Sequence, residues 1–230
     1  MYIAGIHIPG EHLALGVEGV VTSSLFIYTV AGILFTRNSL EDAEEKGGRI
    51  KSMPTSLVGK LVTPVHAAAI ILPAVTYLVA VPLNGCVQPQ FITRFALPNF
   101  GLSQDVVNLL RIASCVGLIG TWQLFTHCVG LLKNSGTYHS VGVREKPKLI
   151  SSGPFAVVRH PLYSCALLQE LILAGMTWNY IPLYAFSVCA LAFAAKAPIE
   201  ESLMESDAEM GLQYKAYKEK VHYRFIPGVW

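Results

Sequence analysis

Charge is scarce in this chain. Lys, Arg, Asp and Glu make up 14% of its 230 residues, and 53% are hydrophobic. Soluble domains carry about 25% charged residues. The mean hydropathy is +0.47. This deficit, spread over several long apolar runs, excludes an ordinary soluble domain and gives an all-α integral membrane protein with lipid around it. The net charge is only +2, so nucleic acid is not expected as a partner. Cysteine is present without a useful pattern. The five, Cys86, Cys115, Cys128, Cys165 and Cys189, are odd in number and include no C-x-x-C, and all but Cys86 lie in apolar runs. That speaks against a disulfide framework or a zinc site, and no metal ligands are expected. The first apolar run lacks a positive region before it and is too long for a signal-peptide core, so it is read as a retained span. No internal repeat is visible.

Five spans are expected. Span one covers about Leu13 to Phe35 and is rich in small residues (Gly16, Gly19, Ser23, Ser24, Gly32) that suit close helix packing. Glu18 within it reads as an acid near a helix end, snorkelling or bonded to a neighbour. Thr36 to Lys60 reads as a solvated loop, with a short helix ended by Gly47-Gly48. Span two, about Leu61 to Leu83, contains Pro64, Pro73 and Pro82, and mid-span proline predicts kinks. His66 reads as a packed or interfacial residue. Span three, about Val106 to Leu132, contains Arg111, expected to snorkel, and Gln123 and His127, four apart on one face. These two bond a neighbouring helix or line a polar cavity. Spans four and five, about Leu162 to Trp178 and Tyr180 to Ala195, form a short hairpin turned by Asn179 and Pro182. A cytosolic amphipathic helix then starts near Pro198 and carries an apolar stripe through Leu203, Met210, Tyr214, Tyr217 and Val221.

Basic residues divide by side. The Thr36–Lys60 loop, the Lys133–Arg159 loop and the tail hold five Lys/Arg each, the Asn84–Asp105 loop holds one and the Asn179 turn none. The positive-inside rule puts the three rich segments, and so the C-terminus, in the cytosol. The chain divides into a three-span membrane region, 1–132, and a loop, hairpin and helix region, 133–230.

The chemistry concentrates around SGPFAVVRHPLY, Ser152 to Tyr163. Arg159 and His160 are costly at the edge of a hydrocarbon layer. Pro161 biases His160 away from helix and makes an abrupt entry into span four. Beyond the hairpin, Lys196 and Glu200 are four apart on one helix face, and Glu201 follows. A hairpin brings both corners to one level. Cations, carboxylates and an apolar wall together suit a ligand that is charged at one end and greasy at the other. Taken singly, each of these residues is more often a membrane anchor than a catalyst; the joint pattern favours a site.

SSGPFAVVRHPLY, then EES, then GLQYKAYKEKVHYRFIPGVW resembles the isoprenylcysteine carboxyl methyltransferase family, and more broadly the membrane phospholipid methyltransferases. The match covers about Leu149 to Trp230, with weaker similarity back to Gly130. The resemblance implies S-adenosylmethionine as methyl donor, held at helix ends rather than in a soluble Rossmann domain; no G-x-G-x-x-G follows a strand here. It implies cofactor contacts at Pro147, Lys148, Leu149, Ile150, Phe155, His160, Pro161, Leu162, Tyr163, Glu200 and Glu201. It implies substrate-carboxylate binding by Lys196, with Glu200 and Arg159 also in the catalytic set. The implied acceptor is a prenylated cysteine at a protein C-terminus or a lipid-like small molecule, and the implied membrane is the endoplasmic reticulum, or the plasma membrane for a bacterial or archaeal chain. The chain departs from the family pattern at Phe155 (usually Tyr), Pro147 (usually His), Cys165 (usually Gly) and Lys196 (commonly Arg), and has two extra residues before Gly211. Two other readings stand beside this one: an N-methyltransferase acting on phospholipid or a small amine, and a non-enzymatic or sterol-reductase-like membrane protein.

Overall fold

The apolar runs fold as helices. A computed structural model describes residues 2–3, 6–7, 16–139 and 141–229. The elements in order are β1 (Tyr2–Ile3), β2 (Ile6–His7), α1 (Val17–Gly47), β3 (Ile50–Ser52), α2 (Leu57–Leu83), α3 (Gln90–Thr93), α4 (Gln104–Asn134), β4 (Val143–Arg144), a 3-10 turn (Gly153–Ala156), α5 (Pro161–Thr177), α6 (Ile181–Glu205) and α7 (Gly211–Lys220). Sheet is confined, among the described residues, to two antiparallel pairs, β1 with β2 and β3 with β4. Four helices, α1, α2, α4 and α6, are long and apolar enough to cross a membrane. The 17 residues of α5 rise about 26 Å, short of a ~30 Å hydrocarbon layer. The expectation of five spans becomes four full-length helices and one short one.

The strongest pairings are α2 with α6, α4 with α5 and α1 with α4. Large apolar side chains such as Phe26, Ile27, Ile33, Leu61, Leu72 and Leu191 point outward, as lipid-facing positions do. Ser56 caps α2 by accepting from the Gly59 amide at 3.1 Å, and Ser103 does the same for α4 from Val106 at 3.4 Å. The turn after α5 is pinned at Trp178, which takes the left-handed conformation (φ 52°), and at Asn179, whose amide donates to the Ile92 carbonyl at 2.9 Å.

Several expectations are corrected. Of span one, residues 13–15 lie outside the described residues. The stretch after Phe35, expected as a solvated loop with a short helix, instead continues α1, which does end at Gly47-Gly48 as expected. Its polar sequence hides a buried stripe, Ser39, Ala43 and Gly47, at four-residue spacing, and Ala43 packs on Val129 and Tyr138. At the end of that stripe, a Cβ on Gly47 would lie 1.9 Å from the Gly136 carbonyl oxygen, so only glycine permits this approach of α1 to the end of α4. Pro64, Pro73 and Pro82 lie within α2 without ending it. Helix α6 runs through Pro198 rather than starting anew there. An interior proline costs about 3 kcal/mol in an isolated helix, but Lys196, Ala197 and Glu201 around it are all buried, and that packing keeps the helix whole. The tail helix starts only at Gly211. Asp207 ends α6 by accepting from the amides of Glu209 and Met210 at 3.0 and 3.2 Å. The stripe Met210, Tyr214, Tyr217 and Val221 then packs on Val143 of β4.

Arg111 does not snorkel. It is 6% exposed and its guanidinium meets Glu18 at 2.6 Å. Arg111 also donates to the Met176 carbonyl at 3.0 Å, Tyr77 donates to Glu18, and Gln88 donates to Glu18 at 3.1 Å. The buried guanidinium thus has a carboxylate partner that is itself only partly exposed. This network ties α1, α2, α4 and the end of α5 together at the end of the bundle away from the RHP corner.

Candidate functional site

The site is assembled where the tail folds back over the start of α5. Pro161 occupies the first turn of α5, where its missing N–H costs nothing, and His160 before it is non-helical (φ −125°, ψ 63°). The amides of Arg159 and His160 are thereby free to pair with the tail, donating to the carbonyls of Tyr223 and Arg224, each at 2.9 Å. Ser164 adds a bond to the Phe225 carbonyl at 2.6 Å. The sequence RHP thus sets a backbone clamp as well as two side chains.

Glu201 lies at the centre of this clamp, 2% exposed. It accepts from Arg159 Nε at 2.8 Å and Arg224 Nη2 at 2.9 Å, lies 3.2 Å from His160 Nε2, and sits 3.6 Å from Lys218. Arg159 spends its Nη1 on the carbonyls of Val221 and His222. Contact with Glu201 also holds the Arg224 guanidinium above its ordinary pKa. Both oxygens of Glu201 are therefore engaged, and it does not border the cavity beside it.

That cavity encloses about 320 Å³, within the range of small-molecule sites. Glu200, on a different face of α6 from Glu201, borders it. Glu200 accepts from Tyr163 Oη at 2.6 Å and lies 3.7 Å from Lys196 Nζ and from His160 Nδ1. Tyr163 is stacked between two rings, His160 with centroids 5.2 Å apart and Phe193 at 4.3 Å. Lys196 is 3% exposed, with its Nζ 5.2 Å above the Tyr163 ring. Pro161, Leu162, Phe155 and the segment Pro147, Lys148, Leu149 and Ile150 also line the cavity. Ile70, Phe125 and Leu132, from α2 and α4, make the apolar side.

Sequence reasoning missed several lining residues. Thr63 and His66 come from α2, the latter packed on Phe193 with centroids 5.0 Å apart. His139 comes from the loop after α4, Arg144 from β4, and Tyr214 and Tyr217 from α7. Only the two tyrosines carried a signal, as members of the α7 stripe. Gln123 and His127, one alternative for a polar cavity, do not line it. Burial, then the charges of Arg144 and Lys196, lowers the His139 imidazole to a pKa of about 4. Burial raises the Tyr217 hydroxyl to about 12, and burial with the Glu201 charge also raises that of Tyr214.

Three residues that line this cavity each carry a buried polar atom with no hydrogen-bond partner among the described residues: Thr63 Oγ1, His139 Nδ1 and Tyr214 Oη. Buried polar atoms are rarely left so. With Glu200, Phe125 and Phe155 also in the lining, the cavity offers acceptors, donors and aromatic surface to a ligand that mixes charge, hydrogen-bonding groups and a ring. It fits S-adenosylmethionine in chemical type, through the carboxylate and aromatic faces for a sulfonium and the unpaired donors and acceptors for its polar groups.

No family model matches the chain. It is similar to protein-S-isoprenylcysteine O-methyltransferases B and A of Arabidopsis thaliana, 25% and 26% identical over 167 residues that make up 72% of this chain and 76% of each relative. A stretch of 55 residues is 46% identical to the cobalt-zinc-cadmium resistance protein CzcN of Cupriavidus metallidurans, covering 24% of each chain. Both Arabidopsis relatives bear the name of the family that the C-terminal motifs resemble.

Proposed function

We propose that this chain is a membrane methyltransferase that uses S-adenosylmethionine and methylates the C-terminal carboxylate of a prenylated cysteine. The names of the Arabidopsis relatives support methyl transfer in general. The observation that carries the finer reading is the shared cavity: Lys196, the Glu200 carboxylate held by Tyr163 and an apolar wall from α2 and α4 border one space.

The segment 147–150, Phe155, His160, Pro161, Leu162, Tyr163 and Glu200 would hold the methyl donor. When bound, that donor supplies an electrophilic methyl on a sulfonium, which passes to a carboxylate oxygen as the carbon–sulfur bond breaks. An α-carboxylate has a pKa of roughly 3.5, so it is ionised at neutral pH and needs no base. The protein's part is position and charge. Lys196 orients the acceptor carboxylate. Glu200, held by Tyr163, balances positive charge next to it. Arg159 and Glu201 fix the corner that carries His160. The apolar side between α2 and α4 receives the prenyl chain from lipid, as a lipidated C-terminus requires. The basic loops and tail favour a cytosolic position for this end of the bundle, and by resemblance the membrane is the endoplasmic reticulum.

The test supplies the purified protein with methyl-labelled S-adenosylmethionine and either a farnesylated cysteine analogue or phosphatidylethanolamine. Base-labile label on the cysteine analogue is the expected result. Label on the phospholipid alone would replace this reading with N-methylation, and absence of S-adenosylmethionine binding by calorimetry would remove both.

A further inference from the structure

Helix α7 presents two tyrosines three residues apart to the same cavity, and their hydroxyls have different surroundings. Tyr217, 5% exposed, donates to the Phe155 carbonyl at 2.6 Å. Tyr214, 2% exposed, has its hydroxyl buried with no hydrogen-bond partner among the described residues. The rings lie 5.7 Å apart. Leaving a buried hydroxyl unpaired costs about 1–3 kcal/mol, and a phenylalanine would fill the same space without that cost. A tyrosine here is explained by something that enters the cavity and accepts its hydrogen bond.

The lining says what kind of group that is. Four cationic side chains, Arg144, Lys148, Arg159 and Lys196, border the cavity against one carboxylate, Glu200. Arg144 is spent on the carbonyls of Tyr138 and Gly48, and Arg159 largely on Glu201 and the tail. Lys148, and Lys196 shared with Glu200, remain to attract an anionic oxygen. The hydroxyl stays protonated at neutral pH because burial and the Glu201 charge oppose its ionisation, so it acts as a donor.

We infer that Tyr214 is a ligand-binding residue whose hydroxyl donates to a carboxylate oxygen of the molecule held in the cavity, while Tyr217 serves only to hold α7 on the 3-10 turn. This rests on the proposed methyltransferase reading, which offers two such carboxylates: the amino-acid carboxylate of the methyl donor and the C-terminal carboxylate of the acceptor.

The experiment compares wild type, Tyr214→Phe and Tyr217→Phe in the full chain. Calorimetry with S-adenosylhomocysteine reports the first carboxylate, and KM for a farnesylated cysteine analogue reports the second. Thermal unfolding without ligand reports structure. A hydrogen bond to a charged group is worth roughly 1.5–3 kcal/mol, so Tyr214→Phe should weaken one of the two ligands about 10- to 100-fold. Which one weakens identifies the carboxylate. The same variant should unfold at the wild-type temperature or above it, whereas Tyr217→Phe should unfold lower. Wild-type affinity of Tyr214→Phe for both ligands overturns the inference and leaves the methyltransferase reading standing. A wild-type protein that binds neither ligand overturns both. A Tyr214→Phe protein that unfolds earlier and binds normally makes the hydroxyl structural.

Discussion

Glu200 and Glu201 are adjacent in the chain and face different surroundings. Glu200 borders the cavity, with Tyr163 Oη at 2.6 Å and Lys196 at 3.7 Å. Glu201 is enclosed by Arg159, Arg224, His160 and Lys218. One helix position turns the side chain by about 100°, and that rotation separates a carboxylate available to a ligand from one that holds the fold together.

Substitutions at the two should therefore separate. Glu201→Ala leaves the buried Arg159 guanidinium without its counter-charge and the half-buried Arg224 without its partner, and breaking a buried pair costs roughly 3–5 kcal/mol. A large fall in unfolding temperature in detergent is the expected outcome. Glu200→Ala should lose methyl transfer and, because buried Lys196 and Tyr163 lose a partner, some stability, but less than Glu201→Ala, whose carboxylate serves more partners. Equal unfolding of the wild type and Glu201→Ala would contradict the division of roles.

Lys196 is buried over the Tyr163 ring beside Glu200. If it orients the acceptor carboxylate, Lys196→Met should lower kcat/KM for the farnesylated cysteine analogue roughly 10- to 100-fold, the value of one charge-assisted hydrogen bond. Affinity for S-adenosylhomocysteine should change far less. Lys196→Arg keeps the charge and should recover much of the loss. A Lys196→Met enzyme with wild-type kinetics would leave the lysine a structural partner of Glu200.

The Glu18–Arg111 pair lies at the other end of the bundle, so it offers a test of fold without the site. Arg111→Met strips Glu18 of its 2.6 Å partner in an apolar setting. It should destabilise strongly, and adding Glu18→Gln should restore part of the loss. Contacting residues show coupling energies of about 0.5–3 kcal/mol in such double-mutant cycles. Methyl-donor affinity should be unchanged throughout. Strict additivity of the two substitutions would mean that the pair contributes nothing jointly.

The hairpin and its entry were legible because their signals are local. Pro161 can only open a helix, Asn179 and Pro182 mark the turn, and Lys196 and Glu200 share a face by spacing alone. What stayed hidden depends on distant partners. Arg111 looked like a snorkelling end residue because nothing near it in sequence reveals Glu18. The buried stripe Ser39, Ala43, Gly47 is too small and polar to stand out from the charges around it. Pro198 looked like a helix start because local propensity was all the sequence offered, and the packing of Lys196, Ala197 and Glu201 overrides it. The β3–β4 pair is three residues against two, below any periodic signal. His139 is a lone histidine in a loop, and only the fold places it on the cavity.

That histidine yields a pH dependence. Burial and the charges of Arg144 and Lys196 lower the folded-state pKa to about 4, against roughly 6.5 in an unfolded chain. As pH falls below the unfolded value, the unfolded chain takes up the proton first. Folding stability from this group is complete above about pH 6.5 and is lost progressively as the pH falls towards 4. Thermal unfolding at about pH 7.5 and about pH 5 brackets most of that window. His139→Gln keeps a polar side chain with no titration there, so its unfolding temperature should fall less between the two conditions than that of the wild type. Asp207 does not mimic this effect. Burial tends to raise its pKa, but Lys51 at 2.8 Å and the amides of Glu209 and Met210 win and lower it, which moves its transition to still more acid conditions. Parallel losses in wild type and His139→Gln would mean that the imidazole takes up its proton in the folded protein as readily as in the unfolded chain, and would return His139 to an ordinary exposed role.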